Sequence, residues 1–82
     1  MLRSKQKIQN TYLLSIGVAI KNLRIEAGYS SYESFANEHN LDRKQYWRLE
    51  SGTNITIKTL YNLLLIHNLS AVEFFKLVEK QK

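Results

Sequence analysis

Arg43, Lys44, Trp47 and Arg48 are the residues whose types and spacing could do chemistry in this chain. At about 100° per residue, a helix begun at Arg43 carries all of them on one face and Tyr46 and Leu49 on the opposite one. Such a helix is cationic outside and apolar inside. Asp42 before it and Gln45 three residues later form a capping-box pair, which starts the helix at Arg43. Arg43 and Lys44 then sit in its first turn, beside the positive end of the helix dipole, where cations are disfavoured. Something other than helix stability selects them, and a phosphate or the edge of a guanine fits, since Arg can donate a bidentate pair to guanine O6 and N7. Side-chain type does not separate the phosphate role from the base-edge role. Trp47, about 40° from Arg43 on the same wheel, falls on the exposed side. An aromatic there packs on a thymine methyl or a sugar, or serves a protein interface, and both readings are open.

The elements that must hold this helix follow from caps and periodicity. A first helix runs from about Thr11 to Ala27 and is stopped by Gly28, a suitable left-handed residue. Ser30 and Glu33 announce a second helix, with Phe35 and Ala36 inward and an end near His39. Asn40 takes the turn, where a left-handed backbone is expected, and Leu41 plugs the corner. After the helix at 43–50, Ser51, Gly52, Thr53 and Asn54 form a polar loop. Thr56 caps a fourth helix whose Ile57, Leu60, Leu63, Leu64 and Ile66 are apolar nearly all round, the pattern of a helix buried at the centre. Ser70 and Glu73 open a fifth helix through Val72, Phe74, Phe75, Leu77 and Val78. The expected architecture is all-α: a compact five-helix bundle forming one domain over residues 11–79, preceded by a flexible basic arm at 1–10 that carries Arg3, Lys5 and Lys7.

The composition bounds the function classes. Eighty-two residues make one domain, near the small end of what folds without staples. With no cysteine, disulfides and Cys-based zinc sites are excluded. A formal charge of +5, from twelve Lys and Arg against seven Asp and Glu, favours a polyanionic partner without requiring one. The basic start followed by an apolar run superficially resembles a signal peptide. Leu13, Ile16, Ile20, Leu23 and Ala27 instead continue one helical stripe past Lys21 and Arg24. No apolar stretch approaches the ~20 residues that span a bilayer, so a cytoplasmic protein without membrane attachment is expected. His39 and His67 are too few and too far apart in sequence to argue for a metal. No catalytic constellation or glycine-rich phosphate loop appears, so neither an enzyme nor a cofactor is expected.

Taken in order and at nearly constant spacing, several segments carry a resemblance to a known family: Ile16 to Arg24, the pair Phe35 and Ala36, Leu49 to Gly52, Thr59 with Leu60, and Leu69 to Phe75. From Ile16 to Phe75 the chain resembles the phage-repressor and Cro type of helix-turn-helix family, also called XRE-like, whose fold is the lambda-repressor-like DNA-binding domain. It departs from the family pattern in having one more residue between Gly28 and Phe35, Tyr32 for the usual Gln, His39 and Asn40 where an apolar residue and Gly are usual, and Ile55 for a Pro.

The resemblance implies an ion pair between Arg24 and Glu50 and a third helix placed in the major groove of double-stranded DNA. Arg43, Lys44, Trp47 and Arg48 would then read bases. It further implies phosphate contacts from helix ends and the loop after the reading helix, for which Lys21, Ser51, Thr53, Asn54 and Lys58 are the candidates. Tyr32 either donates its hydroxyl to a phosphate or packs on the third helix. The function implied is that of a small transcriptional regulator, a repressor. The alternative is a protein-interaction module on the same fold, an antitoxin or antirepressor whose partner is another protein.

Two apolar features lie outside the resemblance. Leu14, Val18 and Ile25 form a second line on the first helix about 150° from the core stripe, explained equally by packing or by an interface. Phe74, Phe75 and Leu77 exceed what a short last helix buries alone and are the first choice for a homodimer contact.

Overall fold

Residues that accept a left-handed backbone punctuate the chain. Gly28 (φ 96°), Asn40 (φ 56°) and Asn68 (φ 55°) each end a helix or its turn, where other side chains would meet steric cost. The computed structural model describes the backbone of residues 2–81 and the side chains of residues 11–81. Between the punctuation lie α1 (Leu2–Glu26), α2 (Tyr32–Glu38), α3 (Arg43–Glu50), α4 (Ile57–His67) and α5 (Ala71–Lys80), and the fold is all-α. α1 begins at Leu2, well before Thr11, because no Gly or Pro interrupts residues 2–10. The side chains of Arg3, Lys5 and Lys7 lie outside the described residues.

Each later helix has the cap its sequence supplies. Asp42 accepts from the Gln45 amide at 2.9 Å, Thr56 from the Thr59 amide at 3.2 Å, and Ser70 and Glu73 form a reciprocal capping box. At α2 the cap is Ser31 and not Ser30. Ser31 has the extended backbone of an N-cap and accepts from the Ser34 amide at 3.1 Å. That shift leaves Glu33 outside the cap and available to a neighbouring helix.

The core joins Ala19 and Ile20 of α1, Phe35 and Ala36 of α2, Tyr46 of α3, Leu60, Leu63 and Leu64 of α4, and Phe74 and Val78 of α5. Phe35 is its hub: Tyr29 meets it edge-on at 5.2 Å, Tyr46 lies 5.0 Å away and His67 stacks on it at 5.2 Å. α1 packs on both α3 and α5, and crosses the end of α3 at the buried Gly17.

Two expectations are corrected by this packing. α4 is not enclosed at the centre: it turns Leu60, Leu63 and Leu64 inward while Ile57, Tyr61 and Leu65 face outward, Leu65 at 80% exposure. Its apolar circumference is wider than its neighbours cover. Phe74, expected at a subunit contact, is 1% exposed in the core, so of that trio only Phe75 and, in part, Leu77 remain at the surface.

Half-buried His67 has Nε2 enclosed without a hydrogen-bond partner. Burial, with His39 adding to it, lowers its pKa below the ordinary 6.5. The unfolded chain therefore takes up a proton before the folded one does, so this group's contribution to stability is complete above about pH 6.5 and is lost as pH falls toward the folded pKa. Thermal melts between pH 7.5 and 5 should show a declining midpoint, and His67→Phe should remove part of the decline. An unchanged pH dependence in that variant would count against the assignment.

Candidate nucleic-acid interface

α3 is anchored at both ends. At its start, the turn from α2 is closed by the Leu41 amide donating to the Ala36 carbonyl at 2.8 Å. Phe35 and Tyr46 fix the two helices across their interface. At its end, Arg24 of α1 donates Nε to Glu50 Oε2 at 2.7 Å and Nη2 to Oε1 at 3.1 Å, a bidentate pair. The same guanidinium donates Nη1 to the Tyr29 carbonyl at 2.8 Å, tying in the α1–α2 loop. The hydrogen bond that Arg24 donates to the Glu50 carboxylate raises the Arg24 pKa further above its ordinary value. The Tyr46 hydroxyl lies buried without a hydrogen bond of its own, and burial, with the Glu50 carboxylate, raises its pKa well beyond the usual phenol range.

With its inner side fixed in this way, α3 presents Arg43, Lys44, Trp47 and Arg48 to solvent, Trp47 at 50% exposure. These side chains line one concavity together with Tyr32 and Glu33 of α2. Tyr32 is half-buried, packs against the core and borders this concavity. Arg43 Nη1 donates to Glu33 Oε2 at 3.3 Å.

A second cleft, on the other side of α3, is lined by Gln45, Arg48 and Leu49, the loop residues Thr53, Asn54 and Ile55, and Thr56 and Thr59. Arg48 borders both clefts. Lys21 on α1 and Lys58 in the first turn of α4 are exposed, as is Asn54. Ser51 and Thr53 are placed differently from the expectation that they donate to phosphate. Ser51 Oγ donates to the Trp47 carbonyl at 2.9 Å and Thr53 Oγ1 to the Arg48 carbonyl at 2.8 Å. Each hydroxyl adds a second bond to a carbonyl that already accepts a backbone amide, Ser51 N for Trp47 and Thr53 N for Arg48, and a phosphate accepting from either hydroxyl would have to displace that side-chain bond.

Glu33 and Gln45 are the site residues that the sequence assigned to capping alone. The Glu33–Arg43 contact spans two helices, beyond any local spacing rule. The Gln45 side chain stands in the second cleft, where an amide can address the N6 and N7 edge of adenine. Among the described residues, no group of three or more His, Cys, Asp and Glu could hold a metal ion. Among the same residues, no helix is long and apolar enough to cross a membrane.

Compared with solved structures, the chain is similar to the wild-type restriction-modification controller protein C.Esp1396I. The two share 32% sequence identity, the match covers 85% of this chain and 90% of that one, and the TM-score is 0.70. No protein-family model matches the chain, and no curated protein does.

Proposed function

The chain belongs to the phage-repressor and Cro type of helix-turn-helix family, and from that premise we propose that it binds double-stranded DNA with α3 in the major groove and acts as a small transcriptional regulator, a repressor. The observation that carries the reading is the joint presentation of Arg43, Lys44, Trp47 and Arg48 on the outer face of a helix whose inner face is locked by Tyr46 and Glu50. Arg43, Lys44 and Arg48 supply donors for base edges, and Trp47 an apolar surface for a thymine methyl. Lys21, Lys58 and Asn54 are the phosphate contacts of this proposal, flanking the reading helix, with Tyr32 at its border. The similarity to a restriction-modification controller protein makes a controller of that kind a parallel for this reading. Such a regulator acts in the cytoplasm, without a catalytic step or a cofactor.

A homodimer would place two reading helices on half-sites one helical turn apart, about 34 Å. Val72 and Phe75 of α5 are exposed, Leu77 is partly so, and they supply the apolar contact for it. A monomer mass that does not change with concentration would count against the dimer. The alternative reading, a module for a protein partner, has one observation in its favour: Ile57, Tyr61 and Leu65 form an uncovered apolar line along α4.

The test is a salt titration of binding to random and genomic duplexes. Native protein should select a sequence, and the Arg43→Ala, Arg48→Ala double variant should lose the selection. Lys58→Ala should weaken all duplexes alike and reduce the salt slope by about one contact's worth, whereas Arg43→Ala should relax preference at one base pair by ~1–3 kcal/mol. Absence of binding even at low salt would transfer the assignment to the protein-partner reading.

A further inference from the structure

An anionic side chain stands inside the cationic concavity of α3. Glu33, in the first turn of α2, lines it with Tyr32, Arg43, Lys44, Trp47 and Arg48, and its Oε2 accepts from Arg43 Nη1 at 3.3 Å. The two side chains are about half exposed, at 55% for Arg43 and 50% for Glu33. Ion pairs of that exposure contribute little to folding. A carboxylate on a polyanion-binding face also opposes binding as such. Its effect must therefore be sought in how Arg43 is used.

The backbone that carries Glu33 is fixed relative to α3. α2 is joined to α3 by the Leu41–Ala36 backbone bond and the Phe35–Tyr46 contact, and Ser31, not Glu33, serves the cap. Arg43 is the first residue of α3, so its guanidinium projects at the end of the reading face. A guanidinium carries five N–H donors, and one contact to Glu33 leaves others for a ligand. If Arg43 swings to a phosphate, a full negative charge arrives beside the Glu33 carboxylate, and like charges repel. If Arg43 addresses guanine O6 and N7, the acceptors carry only partial charge and Glu33 keeps its partner.

We propose that Glu33 is a positioning residue for base recognition: it holds Arg43 for a base edge and keeps phosphate away from it. This deepens the DNA-binding reading and stands on it. Glu33 thus lowers affinity for arbitrary DNA and raises the ratio of specific to non-specific binding, which is what a regulator needs amid a large excess of competing sites.

The test starts from a pool of randomised duplexes enriched on the native full chain. Affinities for the recovered duplex and for a scrambled one are then measured, across salt, for native protein, Glu33→Gln, Arg43→Ala and the double variant. Glu33→Gln keeps the shape and removes the charge at an exposed site, and its melting midpoint should match the native one. The expected result is tighter binding of the scrambled duplex and a specificity ratio reduced on the order of tenfold. In the Arg43→Ala background the same change should have no further effect on the ratio, because Glu33 acts through Arg43. An undiminished ratio in Glu33→Gln, or an equal loss with and without Arg43, would overturn the proposal while leaving DNA recognition intact. Failure of the native chain to enrich any sequence would remove the DNA reading and this inference together.

Discussion

Glu50→Ala should lower the stability of the domain by about 4 kcal/mol, the range for removing one partner of a covered ion pair. The Arg24 and Glu50 side chains are only 6% and 8% exposed. Alanine at 50 leaves the Arg24 guanidinium enclosed with one remaining acceptor, the Tyr29 carbonyl. In a domain of this size such a loss lowers the melting midpoint by roughly 15–30 °C. Replacing both charges together, Arg24→Met with Glu50→Leu, should recover most of the loss, since it removes the uncompensated charge and not merely the contact. The residual deficit is the Tyr29 carbonyl left without its donor, ~1 kcal/mol. Urea unfolding of the native, single and double variants decides it. If Glu50→Ala and the double variant are equally destabilised, the cost lies in lost packing and not in a stranded charge. The pair also fixes the end of α3, so Glu50→Ala should weaken discrimination among duplexes even below its melting temperature.

The parts of this fold that were legible in the sequence are those determined locally. Asp42, Thr56 and Ser70 cap helices because a short side-chain oxygen reaches the backbone amide three residues on, and Asn40 marks its turn because few residues accept that backbone. The outward face of α3 followed from helical periodicity in the same way. What was not legible depends on neighbours distant along the chain. The apolar circumference of α4 reads as burial, but burial needs covering elements, and none among the described residues covers Ile57, Tyr61 or Leu65. Phe74 and Phe75 are adjacent in sequence and identical in type, yet one fills the core and the other lies at the surface, because α5 offers a single face to α1 and α4. Ser51 and Thr53 carry hydroxyls suited to phosphate, but the Trp47 and Arg48 carbonyls at the end of α3 stand within reach and accept from them. Glu33 was hidden by its second plausible role as a cap partner.

Gly17→Ala should destabilise the domain by roughly 2–3 kcal/mol, the upper part of the ~1–3 kcal/mol typical of overpacking. Helix propensity alone predicts the opposite sign, because alanine is better than glycine in a helix interior by about 1 kcal/mol. The decision lies in what a β-carbon would meet. Built on Gly17, it falls 2.6 Å from the Glu50 carbonyl oxygen and 2.9 Å from the Gly52 amide nitrogen. Both are backbone atoms, so no side chain can turn aside; α1 and the end of α3 must separate. The approach is close on the Gly52 side as well, where an added β-carbon would fall 3.1 Å from Leu14 Cα of α1. Asn22→Ala, on the exposed side of the same helix, is the control and should be neutral or slightly stabilising. Chemical denaturation of both variants separates the alternatives by sign: a stabilised Gly17→Ala would mean that α1 and α3 are not held at this distance. The expected loss carries a functional consequence. Moving the end of α3 away from α1 disturbs the Arg24–Glu50 pair and tilts the face that bears Trp47 and Arg48. If α3 enters DNA as proposed, a backbone contact with no side chain of its own sets the angle at which it does so.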